Sequence, residues 1–312
     1  MEIRTLQYFL TIAREESISW AAEYLHVTQP TLSRQMKELE EELGKQLFIR
    51  GKRRITLTDE GMILRKRAEE ILGLVERAEA EVKANEELLT GDIYLGCGES
   101  EGMRPIAKTI ATMLEKYPHV KFHLHSGKAE EVMEKIDAGV LDFGIVIEPV
   151  DLNKYDYLRL PYSNVWGILM KRDSTLASLD KITPDDLRGK PLLCSNQGMV
   201  KNELAGWIGG NQRKLNIVGT YNLLFNASLI VEEGNLYALC LDKIFNSNNS
   251  SLCFRPLEPK LEANMLIIWK KYQLFTKSAE TFLNMIKDNI TDKKRTKIVI
   301  SLFTINYFFV SQ

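Results

Sequence analysis

The segment TQPTLSRQMK, Thr28 to Lys37, places short polar and cationic side chains where an ordinary surface helix carries Lys and Glu. A glutamine can bond bidentately to adenine, an arginine to guanine, and a serine or threonine to a base or a phosphate oxygen. These residue types therefore predict a surface that reads DNA. Its members are Gln29, Thr31, Ser33, Arg34 and Lys37.

Two helices must position this surface. Ser17 can cap a short helix, and Thr28 can cap the next one with Pro30 in its first turn, where a missing N–H costs little. This order is typical of a helix-turn-helix, whose second helix enters the major groove. The polar residues alone also fit a capped surface helix. The buried stripe of the second helix is predicted to be Leu32, Met36, Leu39 and Leu43.

A basic hairpin is predicted directly downstream, in LFIRGKRRITLT, where two β-prone runs flank Gly51. Beside a recognition helix, such a hairpin can act as a wing that binds backbone phosphates. Each neutralised phosphate adds about one unit to the slope with which the logarithm of the binding constant falls with the logarithm of salt concentration. Its cations are Arg50, Lys52, Arg53 and Arg54.

The stretch SWAAEYLHVTQPTLSRQMKELEEELGKQLFIRGKRRITLTDEG resembles, over a long ungapped match, the winged helix-turn-helix of LysR-type transcriptional regulators, a bacterial family. The resemblance implies a DNA-binding domain at 1–58 whose partner is double-stranded operator DNA. The basic hairpin would lie on the neighbouring backbone. It also implies which residues contact the operator: Gln29, Pro30, Thr31, Ser33 and Arg34.

A linker helix is predicted at 59–90, with apolar residues in alternating steps of four and three and a charged back. That heptad pattern favours a coiled-coil partner, although the same stripe would also fit a helix that packs on its own domain. In the LysR-type family this helix is the dimerisation arm, which implies a homodimer or a dimer of dimers. The seam residues are Leu64, Ala68, Ile71, Val75, Ala78 and Val82.

Strand-like and helical runs alternate over 91–290, which predicts an α/β architecture with mostly parallel strands. GVLDFGIVIEP and ASLIVEEGNLYALCLDK extend the resemblance to the LysR-type effector domain, which is similar to type 2 periplasmic binding proteins. The resemblance implies two subdomains, 91–163 with 268–290 and 164–267, joined by two crossing strands. The fold class is thus an all-α winged helix-turn-helix with a long dimerisation helix, followed by a two-subdomain α/β domain. Residues 291–312 are an atypical tail.

Ligands of such sheets bind beyond the carboxyl ends of strands, often at helix N-termini. That rule nominates polar residues after the predicted strands for a small-molecule effector, although Ser and Asn before a helix also serve as plain caps. Glu99, Glu101 and Glu148 favour an amphoteric, neutral or cationic effector. The nominated residues are Ser100, Glu101, Ser126, Ser195, Asn196 and Asn226.

Other site types find little support in the sequence. The four cysteines are widely spaced without a CxxC pair, so we expect reduced, buried thiols in the cytoplasm. His119, His123 and His125 lack a neighbouring carboxylate or cysteine that would complete a metal site, and no cofactor fingerprint is present. The run from Ile298 to Val310 is too short to span a membrane.

We interpret the chain as a transcriptional regulator and not an enzyme. A small molecule is expected to modulate its binding to the operator. RNA polymerase is a further partner that this class of protein admits. The net charge of −1, from 41 Lys and Arg against 42 Asp and Glu, argues against a protein that coats nucleic acid indiscriminately. Two alternatives stay open. One is an α/β ligand-binding or catalytic protein that uses its front module for oligomerisation, and the other is an effector-independent DNA binder.

Overall fold

The computed structural model describes residues 1–51, 54–83, 88–196, 204, 206–208, 215–244 and 250–290, without the side chains of 50, 80, 81 and 83. The chain divides into two compact units, Met1–Ala84 and Asn85–Gln312. The predicted tail 291–312 lies outside the described residues.

The first unit is a bundle of helices with a small hairpin. Side chains of four helices and the hairpin share one core, which includes Phe9, Leu32 and Met36. The two strands pair antiparallel, with Phe48 opposite Leu57. The elements are α1 (Ile3–Glu15), α2 (Ile18–Tyr24), α3 (Gln29–Leu43), β1 (Phe48–Arg50), β2 (Ile55–Leu57) and α4 (Asp59–Lys83).

The buried stripe predicted for α3 is correct for Leu32, Met36 and Leu39 but wrong for Leu43, which is 41% exposed. The helix ends there, because Gly44 adopts the left-handed conformation at φ 64°. The last turn has therefore left the core.

Helix α4 has two kinds of apolar residue. Ala68 is fully buried in the core of its own unit, and Leu64 packs against the same core. Ile71 is 37% exposed and Val82 is 87% exposed. The N-terminal part of the predicted seam thus packs on its own domain, because α1 already covers that face. This corrects the dimerisation prediction for Ala68, while that for Leu64, which is only partly buried, stays a prediction.

The second unit is built on one nine-stranded sheet with helices on both faces. The path of hydrogen-bonded neighbours is β4-β3-β5-β11-β6-β9-β7-β8, and β10 also pairs with β6. The strands are β3 (Gly91–Cys97), β4 (Val120–Ser126), β5 (Phe143–Ile147), β6 (Tyr155–Lys171), β7 (Pro191–Ser195), β8 (Asn216–Tyr221), β9 (Tyr237–Leu241), β10 (Leu252–Pro256) and β11 (Glu262–Lys270). The helices are α5 (Arg104–Lys116), α6 (Ala129–Asp137), α7 (Leu224–Glu233) and α8 (277–290).

Strand β6 joins two halves of this sheet. Its first part pairs with β11, and its second part, from Trp166, pairs with β9 and β10. Helices α5 and α8 cover one face of the first half, and α6 covers the other. Met265 and Ile267 pack in the core of the first half. The second subdomain boundary therefore falls before Met265, a few residues earlier than the predicted 267.

Candidate nucleic-acid interface and ligand cleft

The start of α3 is held by a hydrogen-bonded cap. The Thr28 hydroxyl accepts from the Thr31 backbone N–H at 3.4 Å, and the two hydroxyl oxygens lie 2.8 Å apart. Pro30 occupies the first turn. The predicted surface residues Gln29, Thr31, Arg34 and Lys37 are exposed, as is Pro30, while Ser33 is half-buried. The cap thus presents a polar edge to solvent, with Leu32 and Met36 buried behind it.

The cations of α3 are paired only loosely. Arg34 Nε lies 3.6 Å from Glu38 and Lys37 Nζ 3.4 Å from Glu41, and all four side chains are more than half exposed. Exposed pairs at this spacing contribute little stability. Both cations can therefore exchange their carboxylate for a phosphate or a base at small cost.

The hairpin turn is closed by the Gly51 N–H, which donates to the Arg54 carbonyl at 2.9 Å. Arg54 also pairs with Glu16 at 3.1 Å, which ties the hairpin to the end of α1. Of the other predicted wing cations, Lys52 and Arg53 lie outside the described residues, as does the side chain of Arg50.

Sequence reasoning missed the function of Glu40. Its carboxylate accepts hydrogen bonds from the backbone N–H groups of Leu47, at 2.7 Å, and Phe48, at 3.2 Å. The sequence pattern of α3 indicates only a buried stripe and a polar surface, so it gives no signal for this contact. Glu40 instead fixes the hairpin against the recognition helix, because charge-assisted bonds to backbone donors are strong.

Two adjoining cavities open between the halves of the second unit. The outer one has a volume of about 400 Å³ and is lined by the loop from Cys97 to Glu101 and by Phe225 and Lys243. The inner one, of about 50 Å³, is lined by Trp166, Tyr221 and others. Gly98, Glu99, Leu224 and Ile244 line both, so the two form one continuous cleft.

Ser100 lies at the junction of the halves. Its hydroxyl accepts from the Gly102 N–H at 2.9 Å and donates to the Asn164 side-chain oxygen at 2.9 Å. Asn164 is fully buried on β6. Ser100 therefore caps the turn that leads into α5 and bonds to the crossing strand, while it also lines the outer cavity.

The structure brings together four of the six predicted effector residues. Ser100, Glu101 and Ser126 line the outer cavity, and Ser195 lines the inner one. Asn196 is half-buried and is not among the residues that line either cavity. Asn226 is exposed and also stands apart, because α7 begins at Leu224 and Asn226 lies inside its first turn. The prediction that Asn226 opens this helix is wrong.

The carboxylates near the cleft differ in whether a cationic side chain pairs with them. Arg104 donates to Glu101 and lowers the pKa of that carboxyl, with a smaller contribution from Lys243. Glu148 pairs with Arg159 at 2.8 Å. Glu99 lines both cavities and has no ion-pair partner among the described residues. It is the carboxylate that remains available to a ligand.

The four cysteines are free and buried. Burial raises the pKa of the Cys194 thiol to about 11 and that of Cys240 to about 12. Burial and the nearby Glu99 raise the pKa of Cys97. These environments favour the neutral thiol. The described residues contain no group of three His, Cys, Asp or Glu side chains that could hold a metal, and no described helix is both long and apolar enough to cross a membrane.

Several lining residues were not predicted from the sequence, among them Trp166, Tyr221, Phe225 and Lys243. Tyr221 ends β8 and Lys243 follows β9. The rule that ligands lie beyond strand ends could have found Tyr221, whose strand the sequence predicts, but not Lys243, because the sequence does not predict β9 as a strand. Trp166 carries no such signal, since it lies inside β6.

Comparison with known proteins agrees with both units. The model of the bacterial regulatory helix-turn-helix protein, lysR family, matches residues 3–62, and that of the LysR substrate binding domain matches 86–291. The transcriptional regulator BsdA of Bacillus subtilis is 39% identical over 146 residues, 46% of this chain and 50% of its own. The regulator YfeR of Shigella flexneri is 28% identical over 291 residues, 92% of this chain and 93% of its own.

Solved structures also share the fold over most of the chain. Full-length CbnR in complex with its target DNA has a TM-score of 0.72 at 19% identity, covering 93% of this chain and 100% of that one. These relatives are transcriptional regulators. The chain therefore belongs to the LysR family of bacterial transcriptional regulators, with a helix-turn-helix DNA-binding domain and an effector-binding domain.

Proposed function

We propose that the exposed edge of α3 reads the major groove of an operator, through Gln29, Thr31, Ser33, Arg34 and Lys37. The observation that carries this proposal is the capped start of α3, which holds a polar edge in solvent over a packed core. Pro30 shapes that first turn. The cations of residues 50–54 hold the neighbouring phosphates.

The cleft of the second unit takes the effector, with Ser100, Glu101, Ser126 and Ser195 on its walls. A ligand there shifts the arrangement of the DNA-binding domains only by its different affinity for the two arrangements. The regulator works as a homodimer or a dimer of dimers in the cytoplasm, and contact with RNA polymerase would transmit the effect. No catalytic step is assigned to the cleft.

Replacing Arg34 with Ala tests the DNA surface. We expect operator affinity to fall by about 1–3 kcal/mol and discrimination against changed bases to weaken. Arg65→Ala is the matched control, because Arg65 is an exposed arginine of α4 that pairs with Glu69 and does not belong to the predicted DNA surface. Affinity is measured by gel shift on the DNA upstream of the gene. An unchanged affinity and footprint in Arg34→Ala would remove this residue from the operator surface.

A further inference from the structure

One residue in the wall of the inner cavity carries a buried hydrogen-bond donor without an acceptor. Trp166 lines this cavity and is 4% exposed, and its indole Nε1 has no hydrogen-bond partner among the described residues. Buried donors in native proteins are almost always paired, because an unpaired one costs free energy. An acceptor that arrives with a ligand would satisfy this group.

Helix α7 starts at the same cavity. Leu223 and Leu224 line it, and Leu223, at the capping position, makes no side-chain capping hydrogen bond. The first N–H groups of a helix have no partner within the helix and carry partial positive charge. Together with the indole N–H, they favour a small anionic acceptor. The volume of about 50 Å³ suits a group as small as a carboxylate.

The next group along the cleft has the opposite preference. Glu99 lines both cavities and has no ion-pair partner among the described residues, so it favours a cation where the cavities adjoin. The cationic group of Lys243 does not replace such a ligand, since it lies 3.9 Å from Asp242 and over the Tyr162 ring. Beyond Glu99, the outer cavity offers Met103, Phe225 and Ile244 as apolar walls.

From this order of groups, we propose that the effector is an apolar α-amino acid. Its carboxylate binds at the start of α7 and Trp166, its ammonium binds Glu99, and its side chain extends into the outer cavity. An α-amino acid carries its ammonium and its carboxylate on one carbon. This suits Glu99, because that residue lines both cavities. A dicarboxylate would bring a second negative charge to Glu99, and a simple amine would leave Trp166 unpaired. The inference rests on the proposed function in treating this cleft as the effector site.

Calorimetry on the full-length protein tests the ligand class with the apolar L-amino acids from alanine to phenylalanine. For the tightest of them, we expect the analogue without the amino group and the analogue without the carboxylate each to bind at least tenfold more weakly. For L-leucine these analogues are 4-methylpentanoate and 3-methylbutylamine. The proposal is overturned if no amino acid of the panel binds, or if either analogue binds as well as its parent.

Variants test the two contacts separately. Glu99→Gln should weaken the amino acid at least tenfold and abolish its advantage over the analogue without the amino group. Trp166→Phe should weaken both ligands, with its melting temperature reporting any packing loss. Glu115→Gln, an exposed carboxylate on α5 outside the cleft, should bind like the parent. Parent-like binding by Glu99→Gln would refute the assignment of the ammonium.

A gel shift on the same preparations separates the two levels of the hypothesis. Discrete operator binding without binding of any amino acid refutes the ligand class and leaves the regulator intact. Amino-acid binding without operator binding supports the ligand class and counts against the proposed DNA function.

Discussion

Single residues couple the recognition helix to its neighbours. The Glu40 carboxylate accepts hydrogen bonds from two backbone N–H groups at the start of β1, so its charge interacts with the domain's own backbone. Its helix neighbour Glu38 is exposed and pairs with Arg34 and Gln35 of the same helix. Two glutamates of one helix thus have different functions, although their side chains are identical.

Replacing Glu40 with Ala should lower the free energy of unfolding of the DNA-binding domain by about 1–3 kcal/mol, because two backbone donors lose their acceptor. Chemical denaturation of the full-length protein, followed by far-UV circular dichroism, measures the change. Glu38→Ala is the matched control and should shift stability by less than about 0.5 kcal/mol. Equal losses in the two variants would show that the contact with β1 contributes nothing.

The thiols give a second prediction at this scale. Because the pKa of Cys194 is raised to about 11 and that of Cys240 to about 12, almost no thiolate exists at these two residues near neutral pH. We expect Ellman's reagent to label the native protein slowly at pH 8, faster as pH rises toward 11, and rapidly in denaturant. Hydrogen peroxide should leave operator binding unchanged. Fast labelling of a native cysteine at pH 8, or loss of binding after peroxide, would contradict these environments.

Residue-level prediction succeeded where the signal is local. The cap of Thr28 and the exposure of Arg34 follow from a few neighbouring residues. Trp166 could not be found in this way, because its exposure to the cleft depends on β8, β9 and α7 meeting around it. The capping position of α7 is Leu223, three residues before the predicted Asn226, and a leucine without a polar side chain gives no sequence signal for a helix start.

At the scale of elements, the sequence predicted strands that alternate with helices but not those whose pattern is concealed. Every residue of β9 is buried, so its run YALCL lacks the alternation of a half-exposed strand. The first part of β6 contains Pro161 and polar residues, and it is a strand because it pairs with β11, about a hundred residues later in the chain. Such long-range pairing leaves no local pattern.

Helix α4 allows a prediction of assembly. Of its predicted seam, Ala68 and in part Leu64 pack inward, so we expect a partner helix to meet the later seam residues, beginning at Ile71. Ile71→Glu together with Val75→Glu should raise the dimer dissociation constant at least tenfold, since burying two charges in a coiled-coil seam costs free energy. Sedimentation equilibrium measures this constant.

Ala68→Leu provides the contrast for that experiment. Because Ala68 is fully buried in the core of its own unit, a larger side chain overpacks that core. Its effect should be a lower melting temperature of the DNA-binding domain, with the association constant of the folded protein retained. Dissociation in Ala68→Leu with unchanged stability would place this residue in the dimer seam after all.

For the whole molecule, binding in the cleft and binding to DNA must be linked reciprocally. If an amino acid changes operator affinity by some factor, operator DNA changes the affinity for that amino acid by the same factor. A coupling of about 1–3 kcal/mol corresponds to roughly 5- to 150-fold. Calorimetric titration of the amino acid with and without operator DNA, and gel shifts with and without the amino acid, measure the two factors independently.

The Glu99→Gln variant completes this test. It should lose both factors together and keep its affinity for operator in the absence of amino acid, because Glu99 lies in the effector-binding unit. Two equal factors in the parent protein, both absent from the variant, would show that the cleft controls operator binding through ligand occupancy. A parent protein that binds the amino acid and the operator with both factors equal to one would bind its ligand without regulation, since a ligand with equal affinity for both states shifts neither.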